Sequence, residues 1–139
     1  MAFDITKRRA LETATIDLKN GDDSPLTDDN GEVLSVTVYG PGSKVWRQAS
    51  AEINRRKAER MQKAGGKLGA ALDSAKDDQV EFLSRVTISF NGWEYPGEFQ
   101  ASQFMFAAAY GDDALGYIRD HVHAEVHSWE AFTNGSAAS

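Results

Sequence analysis

The sequence has no cysteine. That removes disulfide frameworks, thiolate metal sites and cysteine nucleophiles together, and suits a reducing compartment. Proline is scarce, and Pro25, Pro41 and Pro96 all fall in turn-like stretches. No apolar run approaches the roughly 20 residues that cross a bilayer, and the opening MAFDITKRRALE lacks a continuous apolar stretch of the secretory type. The expectation is a soluble, unsecreted protein with no membrane partner. Basic charge is also in deficit, with 15 Lys and Arg against 21 Asp and Glu, a net charge of −6. Nucleic acid is therefore an unpromising partner, because a polyanion needs a basic face.

Catalytic signatures are missing too. No serine sits in a GxSxG turn. Gly40-Pro41-Gly42-Ser43-Lys44 has the residues of a phosphate loop's end, but serine precedes lysine and proline lies inside. Acidic pairs such as Asp22-Asp23, Asp28-Asp29 and Asp112-Asp113 belong to turns and caps, and DDNGE is too short for a calcium loop. All three histidines lie in DHVHAEVH. His123 and His127 stand one helical turn apart, yet Ala124 replaces the glutamate of a zincin and no third ligand is suitably spaced. They read as solvated or partner-facing, without a metal. The sequence leads to a non-enzymatic protein without cofactors.

What the chain does have is one basic stretch, Ser43 to Lys67. It carries Lys44, Arg47, Arg55, Arg56, Lys57, Arg60, Lys63 and Lys67 against Glu52 and Glu59. Val45, Trp46, Ala49 and Ile53 recur at helical spacing behind Ser43, a suitable N-cap, so this half should dock on a core. Beyond Ile53 the apolar stripe thins to Met61 and Ala64, and Gly65-Gly66 stops the helix. Residues 55–76 are expected to form a mobile helix end and connector, with Arg55, Arg56, Arg60 and Met61 exposed. Three readings compete. One is a nucleic-acid element, which the absence of aromatic interleaving after Trp46 and the acidic remainder disfavour; another is a protein-binding element, and the third is a solvated face that answers the chain's own acidic surface.

Around it the pattern is that of one domain over residues 1–139, of α+β class. Thr13 to Lys19 alternates with Ala14, Ile16 and Leu18 on one side, and Glu32 to Tyr39 alternates as well; together they predict an antiparallel hairpin with a long acidic connection. Asp77 and Asp78 read as cap and first-turn charge for a helix that becomes extended before Asn91-Gly92. Trp93, Tyr95 and Phe99 should pin a loop. A helix over Gln100 to Tyr110 holds Phe104 and Phe106. After the break at Gly111, Asp112 caps a last helix whose apolar face is Leu115, Ile118, Val122, Val126, Trp129 and Phe132. Residues 133–139 read as a disordered tail. The small sheet should be covered by helices on one face.

The succession of VTVYGPGSKVWRQ, INRRKAERMQKAGGK, a connector, an acidic-capped helix closing on SFNGW, and short helices ending at HSWEAF resembles the tail assembly chaperones of long-tailed bacteriophages, over about residues 13–132. The resemblance implies a protein of the host bacterial cytoplasm that binds the tape measure protein and helps recruit tail tube subunits during virion assembly. It implies no catalytic residues. DHVHAEVHSWEAF departs from the arginine-rich last helix of that family. Arg47, Arg55, Arg56, Arg60, Met61, Trp93, Phe104 and Phe106 are the candidate partner-binding residues, and self-association into a homo-oligomer is an open alternative. The alternative function is a structural component of the phage tail or head-tail connector.

Overall fold

A computed structural model describes residues 2–63 and 74–133. The alternation of Thr13–Lys19 becomes β1 (Thr13–Asp17), whose exposed and buried residues alternate strictly. It pairs antiparallel with β2 (Ser35–Tyr39), from Thr13 opposite Tyr39 to Asp17 opposite Ser35. β2 is shorter than the sequence pattern suggests. Residues 32–34 belong to the acidic connection, which bridges to itself at Lys19–Pro25 and Thr27–Val33. Aspartates fix its turns: the Asp28 carboxylate accepts from the amides of Asn30 and Glu32, and Gly31 supplies a φ of +83°.

A third strand, β3 (Thr87–Asn91), completes the sheet in the order β1-β2-β3. It pairs antiparallel with β2, and a bulge leaves Ile88 unopposed between Ser89 and Thr87. The strand follows α2 (Ala75–Val86) with no intervening loop. β-branched Val86, Thr87 and Ile88 favour extension, and the Thr87 hydroxyl finds a partner in the Tyr110 hydroxyl, 2.8 Å away and buried. The expected change from helix to extended chain therefore occurs, at Val86. Asp77 and Asp78 lie in the first turn of α2, as the charge reading expects, but the N-cap is Ser74, which corrects the cap reading.

The other helices are α1 (Lys44–Lys63), α3 (Ser102–Gly111), α4 (Gly116–Val126) and the short α5 (Glu130–Thr133). Ser43 caps α1: its Oγ accepts from the Trp46 amide at 3.2 Å and donates to the Gly40 carbonyl at 2.8 Å. Asp112 accepts from the Ala114 amide and opens a single 3-10 turn, Asp113–Leu115, ahead of α4. Another 3-10 turn, Ile5–Arg8, forms in the N-terminal segment and buries nothing.

One contiguous core joins Ala14, Ile16, Val36 and Val38 of the sheet, and Leu18 just past β1, to Ala49, Ile53, Phe82, Leu83, Val86, Phe106, Tyr110, Ile118, Val122, Val126 and Phe132 of the helices. This is the α+β arrangement anticipated. On the sheet's other side Thr15, Ser35, Thr37, Ser89 and Asn91 form a hydrogen-bonded polar ladder, with Asn91 Nδ2 donating to both Ser35 Oγ and Thr37 Oγ1. Two expected core residues lie outside: Val45 is 37% exposed and Trp129 53%. α4 ends at Val126, and the interruption before α5 turns Trp129 off the stripe that a continuous helix would have given it. Most of the connector expected within 55–76, residues 64–73, lies outside the described residues, as do tail residues 134–139.

Candidate partner-binding surface

The basic helix does not stand apart from the body. Acidic α2 lies against α1, and charge pairs join them: Arg56 to Glu81, Arg60 to Asp78, and Arg85 of α2 back to Glu52 at 2.9 Å. The Asp78 side chain is only 8% exposed, so Arg60 neutralises a nearly buried carboxylate. Glu81 raises the Arg56 pKa further above its ordinary value, chiefly through their hydrogen bond. Arg85, donating to the Glu52 carboxylate, holds its pKa low.

The eight candidate residues thus separate. Arg56 and Arg60 are committed within the fold, which corrects the expectation that they stand free. Arg55 and Met61 are exposed, as expected, and so is Arg47. With Ala51 and Ala58 they form a solvent-facing stripe along α1, since these positions recur three and four residues apart. An open cleft of about 440 Å³, lined by Gln48, Ala51, Glu52, Arg55 and Arg85, runs beside it. The stripe offers small apolar side chains framed by guanidinium groups.

The aromatic candidates also divide. Phe106 is 4% exposed and packs on Phe90 at 4.6 Å, so it belongs to the core and is withdrawn from the surface. Trp93 stacks on Phe90 at 3.8 Å and donates its indole N–H to the Ser35 carbonyl at 2.9 Å. It anchors the loop, as does Tyr95, whose hydroxyl donates to Asp112 at 2.9 Å. Phe104, on α3, is 57% exposed and stays a surface candidate.

The histidines diverge from the solvated reading in part. His127 is exposed, but its ring lies 5.0 Å from that of Phe82, and its Nδ1 donates to the His123 carbonyl at 2.8 Å. His123 is partly buried and 4.3 Å from His127, ring to ring. His121 donates from Nε2 to the Asp17 carbonyl, tying α4 to β1. Among the described residues no cluster of three or more potential ligands could hold a metal, and no helix is long and apolar enough to cross a membrane.

Sequence reasoning missed the α1–α2 ion pairs. The available signal was charge complementarity, with Asp77, Asp78 and Glu81 following the basic stretch as the next dense charge cluster. No family model, no curated protein and no solved structure matches this chain.

Proposed function

We propose that the protein is a bacteriophage tail assembly chaperone, which binds the tape measure protein and helps recruit tail tube subunits in the host cytoplasm. The reading starts from the resemblance carried by VTVYGPGSKVWRQ and INRRKAERMQKAGGK. The observation that carries it is the exposed stripe of α1, with Arg47, Arg55 and Met61 framing Ala51 and Ala58 beside an open cleft. Such a surface suits an amphipathic helix: alanines permit close approach, methionine adapts to different side chains, and arginine stems cover apolar area while their heads engage acidic rims. A tape measure protein, as a long helix that must be kept from aggregating, has that chemistry. The activity is binding, with no reaction step.

The test is co-expression with a tape measure protein from the same source, reading that protein's soluble yield. Arg56 and Arg60 are unsuitable targets, because glutamate there would face Glu81 and Asp78 and disturb the fold. Arg47→Glu, Arg55→Glu and Met61→Glu together should leave the melting transition in place and lower the soluble yield, more so at low salt. An undiminished yield from the folded variant would refute this surface. Finding the chain in purified phage particles would instead support a structural role in the tail or connector.

A further inference from the structure

Between α1, α2 and α4 lies a second feature, separate from the exposed stripe. A small cavity of about 50 Å³ opens to solvent between Asn54 and Lys57 of α1, Gln79 of α2, His123 of α4 and His127 at that helix's C-terminal cap. That volume exceeds what one water needs. Its wall is aromatic where Phe82 meets both imidazoles, and polar elsewhere.

The groups around this cavity are mostly donors. Lys57 brings an ammonium, and Asn54 and Gln79 bring amides. His127 has its Nδ1 proton committed to the His123 carbonyl, so Nε2 is its free nitrogen, a donor once the ring is protonated. The one lining carboxylate, Asp78, is already held by Arg60. A water-accessible pocket with a lysine, two adjacent imidazoles and a neutralised carboxylate has unmet capacity for negative charge.

We infer that this cavity is a binding site for a small oxyanion, the size of a carboxylate or phosphate, held by Lys57, Asn54, Gln79 and the paired imidazoles of His123 and His127. Protonation follows from that chemistry. Without an anion, burial first, then His127 and Lys57, push the His123 pKa down to about 4. An anion reverses the local field and favours the imidazolium, so binding takes up a proton and strengthens as pH falls. The other charges near His123 are Asp120 and Arg119 from α4, while Asp78 in the lining is neutralised by Arg60. None of these supplies an uncommitted carboxylate to the cavity: Asp120 is largely exposed and lies 3.7 Å from Arg119.

The experiment follows the His123 and His127 ring resonances of the full chain by NMR, adding inorganic phosphate or acetate at fixed ionic strength, with chloride as the reference. The expected result is a saturable shift at millimolar phosphate and a rise in the His123 titration midpoint. Lys57→Ala, at an exposed position that leaves the fold intact, should weaken phosphate binding about tenfold or more, the scale of one lost charge-assisted hydrogen bond. Saturation by acetate as well would identify a carboxylate as a competent occupant; saturation by phosphate alone would identify a phosphate-type ligand. Either supports the site. No saturable shift from either anion, or identical binding by Lys57→Ala, would overturn it.

Discussion

The indole Nε1 of Trp46 donates to the carbonyl of Val126 at 2.8 Å, across eighty positions of sequence. Val126 is the last residue of α4, where helical carbonyls have no partner of their own. The same indole meets the Phe82 ring edge-on at 5.4 Å. One side chain therefore binds α1 to both α2 and α4. Trp46→Phe keeps much of the ring packing and removes the donor. It should cost about 1–2 kcal/mol in urea unfolding, the scale of an orphaned hydrogen-bond partner. An unchanged midpoint would mean that water replaces the indole.

Arg60 and Arg55 belong to the same basic stretch and should behave differently. Arg60→Ala strands the Asp78 carboxylate, whose side chain is 8% exposed, at a cost of about 2–3 kcal/mol. Arg55→Ala should stay within about 0.5 kcal/mol, as exposed charges do. Adding Asp78→Asn to Arg60→Ala should recover part of the loss. Equal effects of the two single variants, by denaturant unfolding, would contradict the buried pairing.

Stability should fall between neutral and mildly acidic pH. His123 has its pKa lowered from 6.5 to about 4 in the folded state. Between those values the unfolded chain binds a proton that the native protein excludes. The contribution is thus fully present above about pH 6.5, declines as pH drops toward 4, and changes no further below that. Solvent screening at this partly open site leaves about 1–2 kcal/mol. Unfolding in phosphate-free buffer should show this slope, and His123→Gln should flatten it. Glu52, held low by Arg85, loses its contribution only below its ordinary value of 4.5. A slope that survives the substitution would assign the effect to other groups.

Phe104 and Phe106 test the division of the aromatic residues. Phe106→Ala should cost about 3–5 kcal/mol through lost burial and a cavity. Phe104→Ser, at a position 57% exposed, should change stability by no more than about 0.5 kcal/mol. Comparable thermal shifts for the two would place Phe104 in the core.

Much of the fold was legible because its elements carry strong local periodicity. Ala14, Ile16 and Leu18 announce the buried side of β1, and Ser43 with Trp46, Ala49 and Ile53 announces the start and inner face of α1. Even the conversion from helix to strand near Val86 is written in the run Val86, Thr87, Ile88. Contacts between elements were not legible, since a stripe on one helix does not say which neighbour it meets. Arg60 appears solvated until Asp78, eighteen positions later, is seen opposite it. Phe104 and Phe106 are adjacent in composition and opposite in fate, because α3 is apolar nearly all round and its pattern does not choose a face. The cavity at His123 depends on three helices at once and has no signature in any one of them.

Phe132 has a consequence for the order in which the molecule acquires its structure. Its ring fills the space beside Gly40 so tightly that a Cβ there would lie 2.4 Å from Cδ1, and its carbonyl accepts from the Leu11 amide at 2.8 Å. The turn leading into α1 and the approach to the first strand are therefore completed by one of the last residues described. A nascent chain that has exposed α1 but not α4 and α5 lacks both this plug and the Val126 acceptor for Trp46. Closing a loop of about 120 residues is a late and slow event compared with hairpin formation. Native packing of α1 is accordingly expected only once the chain has been made through Phe132, so a partner that needs the finished helix meets a chain that already carries α5.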